Sequence, residues 1–174
     1  MPDRHIFVTG MTGSGKSRIG KAVAEAMRMP FIDLDAAIES REGRSIPAIF
    51  AEVGEEGFRR LETAMLQDVV QGAPALVSTG GGTVIRPENQ ALMHANGWIV
   101  FVDRPLNDIL SDIDTSHRPL LKDGAESVKR LYAARIATYT KTADAVVVNR
   151  GSMEQACMLM KQKIRELLSR TAET

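Results

Sequence analysis

A glycine-rich segment near the start of the chain has the composition of a phosphate-binding loop. Residues 10–17 read GMTGSGKS, which satisfies the pattern G-x-x-x-x-G-K-[ST], and they follow the apolar run HIFVT. In such a loop the glycines let backbone N–H groups converge on phosphate oxygens, the lysine supplies charge at the β- and γ-phosphates, and the serine hydroxyl can bind Mg²⁺. The motif predicts a nucleotide site formed by Gly13, Ser14, Gly15, Lys16 and Ser17. It leaves the phosphate acceptor open.

Two aspartates, Asp33 and Asp35, come directly after the second apolar run. Period-two spacing points both carboxylates the same way if the strand continues, at the sheet edge near the phosphates. This arrangement suits one carboxylate in the Mg²⁺ shell and one that accepts a hydroxyl proton. A helix N-cap at Asp35, which precedes the helix-like AAIE, fits the pattern equally well.

Three arginines are candidates for binding anions. Arg59 has Glu62 as an i,i+3 neighbour that could orient its guanidinium, although a solvated surface pair fits the same stretch. Arg135 shares a helical face with apolar residues, where an arginine is costly unless an anion meets it; a side chain that snorkels to water is the alternative. Arg118 lies in a polar segment, where it could neutralise a transferring phosphoryl group or be an ordinary loop arginine.

Three successive glycines, Gly80, Gly81 and Gly82, follow the third apolar run. Without side chains they allow a ligand to approach the backbone closely at the end of a strand. A flexible turn would have the same composition, but the position after a buried strand favours a binding site.

Five short apolar runs and the helical patterns between them must position these residues. The runs are nearly continuous rather than alternating, which is typical of a parallel sheet covered on both faces. Helices between strands indicate an α/β sandwich, and Ser152 with Gln155 has the spacing of a capping box at the last helix. The runs comprise residues 6–8, 31–32, 75–77, 98–102 and 145–148.

The chain length of 174 residues predicts one domain, residues 1–174, with two departures from simple alternation. Residues 35–71 hold more helix than one crossover needs, and residues 111–124 are polar. Because ligands of such folds bind beyond the carboxyl ends of the strands, we expect an acceptor-binding insertion at 35–71 and a lid at 111–124.

Composition limits the partners and the compartment. Lys plus Arg total 22 and Asp plus Glu total 22, so no positive excess favours nucleic acid. The single cysteine, Cys157, argues against a disulfide framework and for a reducing compartment. No signal peptide or membrane-spanning stretch is evident, so we expect a cytoplasmic protein without a membrane partner, and a monomer.

Taken together, these motifs resemble the shikimate kinase family over nearly the whole chain. The specific part of the resemblance is the ordered set Asp33-x-Asp35, FRR-x-E at 58–62, GGG at 80–82, RPLL at 118–121 and Arg135. The resemblance implies ATP-dependent phosphorylation of the 3-hydroxyl of shikimate, a step toward chorismate and the aromatic amino acids. It also implies a P-loop kinase fold, a three-layer α/β/α sandwich whose five-stranded parallel sheet has the order 2-3-1-4-5.

The resemblance further implies roles for individual residues. Arg59 and Arg135 would clamp the substrate carboxylate, and Asp35 would hydrogen-bond the ring hydroxyls and act as base or orienter. The Gly80–Gly82 triplet would bind substrate, with Gly81 acting through its backbone. Lys16 and Arg118 would stabilise the phosphoryl group, while Ser17 and, through water, Asp33 would hold Mg²⁺.

The sequence departs from the family pattern at three points. Ser111 and Asp112 stand where the family often has an arginine that stacks on adenine, and Arg150 could contribute its planar guanidinium instead. The family's R-x-P-x-Y is RIATY here, without the proline. Asp112 and Asp114 would repel a triphosphate, so we expect them to face solvent. A gluconate kinase and a non-catalytic nucleotide-binding module are the alternatives.

Overall fold

A parallel sheet of five strands runs through the protein in the order β2-β3-β1-β4-β5. The structure, a computed structural model, describes residues 3–112 and 124–171. Each strand overlaps one of the predicted apolar runs, and the predicted strand order is confirmed. The strands are β1 (His5–Thr9), β2 (Phe31–Asp33), β3 (Leu76–Ser78), β4 (Gly97–Asp103) and β5 (Ala145–Val148).

Helices cover both faces of this sheet. They are α1 (Lys16–Met27), α2 (Leu34–Glu42), α3 (Ile46–Val70), α4 (Pro87–Asn96), α5 (Leu106–Asp112), α6 (Ala125–Thr142) and α7 (Met153–Thr171), with a 3₁₀ turn at Thr83–Ile85. Within the residues described, no helix combines the length and apolar composition needed to cross a membrane.

Strand β1 shows why the apolar runs are continuous. Phe7 packs into a core with residues of α2, α3, α4 and α6, whereas Ile6 and Val8 pack into a second core with residues of α1 and α7. All three side chains are fully buried. Removing a large aliphatic or aromatic side chain from water contributes about 1.5–3 kcal/mol, so both faces of the strand favour apolar residues.

The register of the sheet brings the ends of three strands to one edge. Val8 of β1 and Asp33 of β2 both pair with Ser78, the last residue of β3. The phosphate-binding loop, the aspartate pair and the glycine triplet follow these three strands, so they meet at the same edge.

Helix α3 consists of two helical parts. Ser45 is its N-cap, and the Ser45 hydroxyl accepts a hydrogen bond from Ala48 N at 3.4 Å. The helix breaks at Gly54, whose φ of 68° and ψ of −176° are not helical. Positive φ is accessible to glycine at little cost, so this residue supplies the bend. The part after the break carries Arg59 and Glu62.

Candidate active site

A cavity of about 370 Å³ opens at the carboxyl edge of β1, β2 and β3. It is lined by the phosphate-binding loop, both aspartates, α3, the glycine triplet and α6. The residues predicted from sequence that lie on its wall are Lys16, Ser17, Asp33, Asp35, Arg59, Gly80, Gly81, Gly82 and Arg135. Lining residues that the sequence did not single out include Thr12, Glu39, Phe50 and Leu131.

The phosphate-binding loop has the backbone that its glycines predict. Gly13 and Gly15 have φ values of 82° and 89°, in the region that favours glycine. Lys16 is 8% exposed, and its ammonium group donates to the Met11 carbonyl at 3.4 Å. The hydroxyl oxygens of Ser17 and Ser78 lie 2.8 Å apart. A nearly buried lysine on the same cavity wall as the Ser17 hydroxyl and the Asp33 carboxylate fits the phosphates and the cation of a magnesium nucleotide.

The aspartate pair differs from the sequence interpretation. Strand β2 ends at Asp33, and α2 begins at Leu34, so period-two spacing does not orient the pair. Asp33 is the N-cap, because its Oδ1 accepts a hydrogen bond from Ala36 N at 3.1 Å. The cap proposed as an alternative for Asp35 was therefore wrong by two residues. Asp35 lies in the first turn of α2, half-buried at the cavity wall.

Arg59 is fixed by a buried network rather than exposed as a surface pair. One guanidinium nitrogen donates to Glu62, which is fully buried, and another donates to Glu55 at 3.2 Å. Glu62 also accepts a hydrogen bond from the Thr83 hydroxyl at 2.8 Å. Burial alone would lower the pKa of Arg59, but Glu62 and Glu55 outweigh burial and raise it. The guanidinium is a permanent, oriented cation at the cavity wall.

The glycine triplet packs against the charged groups of the site. A Cβ on Gly80 would come within 2.8 Å of Asp35 Oδ1, and a Cβ on Gly82 would overlap the Arg59 guanidinium. A Cβ on Gly81 would lie 3.5 Å from Arg135 Nη1. The triplet is therefore the floor against which the aspartate and both arginines lie, and not merely a flexible turn.

Arg135 reaches the cavity from α6, one turn before Tyr139. The Tyr139 hydroxyl donates to the Gly81 carbonyl, and its ring stacks on Phe101 with centroids 5.2 Å apart. Burial raises the pKa of Tyr139 to about 12, and the nearby charge of Arg135 opposes that shift. The tyrosine is a neutral donor that joins α6 to the glycine triplet, even though the proline of the family pattern is absent.

Several predicted residues are not part of this cavity. Arg118, Asp114 and nearly all of the expected lid lie outside the described residues. Arg150 follows β5 and is exposed, away from the cavity lining. Asp112 ends α5 with its side chain 59% exposed, in agreement with the expectation for that residue, and pairs with Arg104.

Sequence reasoning missed Arg104 and Asn149, which contact the outside of the phosphate-binding loop. Arg104 donates to the Gly13 carbonyl at 3.0 Å, and Asn149 donates to the Ser14 carbonyl at 2.9 Å. Both residues directly follow a strand, β4 or β5, which is the signal that could have placed them at this edge.

Protein ligands for a cation are few at this site. Within residues 3–112 and 124–171, no group of three or more His, Cys, Asp or Glu side chains could hold a metal ion. Mg²⁺ commonly takes one or two protein ligands and completes its shell with water and phosphate oxygens. Ser17 and Asp33 fit that pattern.

A family model and individual relatives match almost all of the chain. The family model described as shikimate kinase matches residues 12–170. A shikimate kinase of Clostridium botulinum is 37% identical over 159 residues, which cover 91% of this chain and 96% of that protein.

Solved structures are also similar to this protein. The shikimate kinase of Acinetobacter baumannii in complex with shikimate superposes with a TM-score of 0.86 at 28% identity, over 97% of this chain and 94% of that chain. A gluconokinase of Sinorhizobium meliloti has a TM-score of 0.63 at 17% identity, over 98% of this chain and 96% of that chain, a likeness of fold alone.

Proposed function

The chain belongs to the shikimate kinase family, and we propose that it transfers the γ-phosphoryl group of ATP to the 3-hydroxyl of shikimate. The product is shikimate 3-phosphate, on the route to chorismate and the aromatic amino acids. The observation that carries the proposal is the meeting of Arg59, Arg135 and Asp35 in one cavity beside the phosphate-binding loop.

The charges of the cavity match the chemistry of a small carboxylated polyol. Arg59 and Arg135 approach the glycine triplet from α3 and α6 and offer two cations to one carboxylate. Since a guanidinium forms paired hydrogen bonds with a carboxylate, these two residues bind and orient the acid end of the acceptor. Gly81, whose carbonyl accepts a hydrogen bond from Tyr139, adds its backbone to the same wall.

Asp35 is the residue we assign to the reacting hydroxyl. It lies on the same wall, close to Gly80, and lines the cavity together with Lys16. Its carboxylate accepts a hydrogen bond from the 3-hydroxyl, orients the oxygen for attack, and receives the proton as the bond to phosphorus forms.

Lys16, Ser17 and Asp33 serve the donor. The Lys16 ammonium balances charge on the phosphoryl oxygens, and the Ser17 hydroxyl and Asp33 would hold Mg²⁺. Mg²⁺, when bound, neutralises charge that develops on the phosphate oxygens. Arg118 is proposed from its motif as a second cation at the phosphoryl group, and Arg150 as a contact of the nucleotide.

Our proposals for the domain organisation and the cellular compartment of the protein rest on the helices of the insertion and on the cysteine content. Helices α2 and α3 account for most of residues 35–71, which supports an acceptor-binding insertion within one domain. The single cysteine supports a reducing compartment, so we propose that the protein is cytoplasmic. We also propose that it is a monomer.

An ADP-release assay with magnesium and ATP tests the proposal. Shikimate, gluconate and a set of nucleoside monophosphates are supplied separately, and we expect release above background with shikimate. Release with gluconate alone would assign the protein to the sugar-acid kinases. ADP or ATP binding without release for any acceptor would indicate a non-catalytic module.

A further inference from the structure

The outer side of the phosphate-binding loop carries a pair of contacts that the proposed phosphoryl transfer does not use. When the N–H groups of such a loop converge on an anion, the carbonyls point away from it and need partners of their own. The hydrogen-bond ladder of α1 supplies none before Gly15, whose carbonyl accepts from Ile19 N at 2.9 Å. Gly13 and Ser14 precede the ladder, so their carbonyls find their partners outside α1.

Asn149 provides the partner for Ser14. Its side-chain nitrogen donates to the Ser14 carbonyl at 2.9 Å, and its backbone N–H donates to the Asp103 carbonyl at 2.8 Å. The residue is therefore anchored to the end of β4 while it holds the loop. A Cβ added to Gly15 would lie 3.1 Å from the same side-chain nitrogen, so the amide packs directly over the loop.

Arg104 provides the partner for Gly13. One guanidinium nitrogen donates to the Gly13 carbonyl at 3.0 Å, and another is paired with Asp112 at the end of α5. Asp112 neutralises the charge of Arg104 locally, which weakens any long-range attraction between Arg104 and a phosphate. Arg104 should therefore affect nucleotide binding mainly through its direct contact with the loop.

We propose that Arg104 and Asn149 are positioning residues that hold the phosphate-binding loop from outside, so that its N–H groups stay aimed at the nucleotide phosphates. Neither side chain lines the cavity, so each acts through the loop carbonyl it contacts. The inference rests on the proposed function only in taking a nucleotide as the ligand of this loop. Loss of either contact should weaken nucleotide binding and leave acceptor binding unchanged.

The test is the affinity of Asn149→Ala and Arg104→Met for ADP, measured by titration calorimetry in magnesium buffer. Losing one hydrogen bond that preorganises the loop should weaken ADP binding about tenfold in each variant. The affinity for shikimate, and its KM in the ADP-release assay, should stay at the wild-type value while the KM for ATP rises.

The matched control is Asn96→Ala. Asn96 is also a half-buried asparagine whose side chain donates to a backbone carbonyl, that of Leu92 at 2.8 Å, but it lies before β4 at the opposite edge of the sheet. It should lose a similar amount of thermal stability and keep its ADP affinity. This control separates a cost in stability from a cost in nucleotide binding.

Unchanged ADP affinity in both loop variants would overturn the inference, and so would an equal loss of ADP and shikimate affinity. Arg104→Met alone decides the matter if Asn149→Ala does not fold, because the Arg104 side chain is half-buried on the outer side of the loop and methionine keeps most of its apolar volume. Wild-type protein that binds ADP but does not phosphorylate shikimate would refute the proposed function and leave this inference standing.

Discussion

Replacing Gly82 by alanine tests whether the glycine triplet sets the position of the substrate clamp. The backbone of Gly82 has φ −102° and ψ −6°, which alanine adopts, so the substitution adds a methyl group without backbone strain. That methyl would overlap the Arg59 guanidinium, which cannot simply swing aside because Glu62 and Glu55 hold it.

The expected loss follows from the contact that the displaced arginine makes. A hydrogen bond to a charged group contributes about 1.5–3 kcal/mol, so the KM for shikimate should rise about 10- to 150-fold. Crowding of the buried pair should also cost about 1–3 kcal/mol of unfolding free energy. The KM for ATP should stay unchanged, because the loop that binds it is not touched.

The assay is ADP release with one substrate varied at a time, together with thermal unfolding. Gly72→Ala is the control, since its added Cβ would meet only the Val69 carbonyl, at 3.3 Å, beyond the end of α3. A wild-type KM for shikimate in Gly82→Ala, or a parallel rise for both substrates, would refute the reasoning.

Three further predictions concern the buried ion pair, the acceptor residues and His5. Glu62→Gln should lose about 3 kcal/mol of unfolding free energy in urea, because it leaves Arg59 without its buried charge partner, whereas Glu88→Gln at an exposed pair should change little. Asp35→Asn should lower kcat about 100-fold or more with ADP affinity intact, whereas Arg135→Ala should mainly weaken shikimate binding. Burial lowers the pKa of His5 below its usual 6.5, so the folded state binds its proton less readily than the unfolded chain, and stability should fall as pH drops through and below 6.5.

Each of these predictions has a result that would contradict it. Equal stability loss in Glu62→Gln and Glu88→Gln would mean that burial of the pair is unimportant. Equal loss of ADP affinity in Asp35→Asn and Arg135→Ala would mean that neither residue belongs to the acceptor part of the site. The variant His5→Asn removes the titratable group and keeps an acceptor for Ala75 N. Its unfolding free energy should vary less with pH than that of the wild type. If it varies equally between about pH 7.5 and about pH 5, the pH dependence comes from another group.

The elements were predictable because their signals are local. A strand buried on both faces is apolar along its central residues, as residues 6–8 of β1 and 98–102 of β4 show. The capping box at Ser152 and Gln155 is also confirmed, with reciprocal hydrogen bonds of 3.1 and 3.2 Å. Both patterns depend on neighbours along the chain.

The site was harder to predict because its contacts are distant in sequence. Whether Asp33 or Asp35 caps α2 depends on the residue at which the chain leaves the sheet, and either aspartate has the right chemistry. The burial of Arg59 depends on packing against Gly82, which no helical pattern reveals. Asn149 contacts a residue 135 positions away, so only the strand order brings the two together.

The break at Gly54 divides the acceptor wall between two helical parts of α3. Ile46 and Phe50 line the cavity from the part before the break, whereas Arg59 and Glu62 belong to the part after it. Nothing lies within 4 Å of the position that a Cβ on Gly54 would occupy, so the bend itself has open space beside it. Phe50 and Phe58 nevertheless pack across the bend with ring centroids 4.7 Å apart, and the Arg59 guanidinium lies 5.5 Å from the Phe58 ring. A change in the apolar wall at Phe50 should therefore be transmitted through this aromatic contact to the ionic clamp.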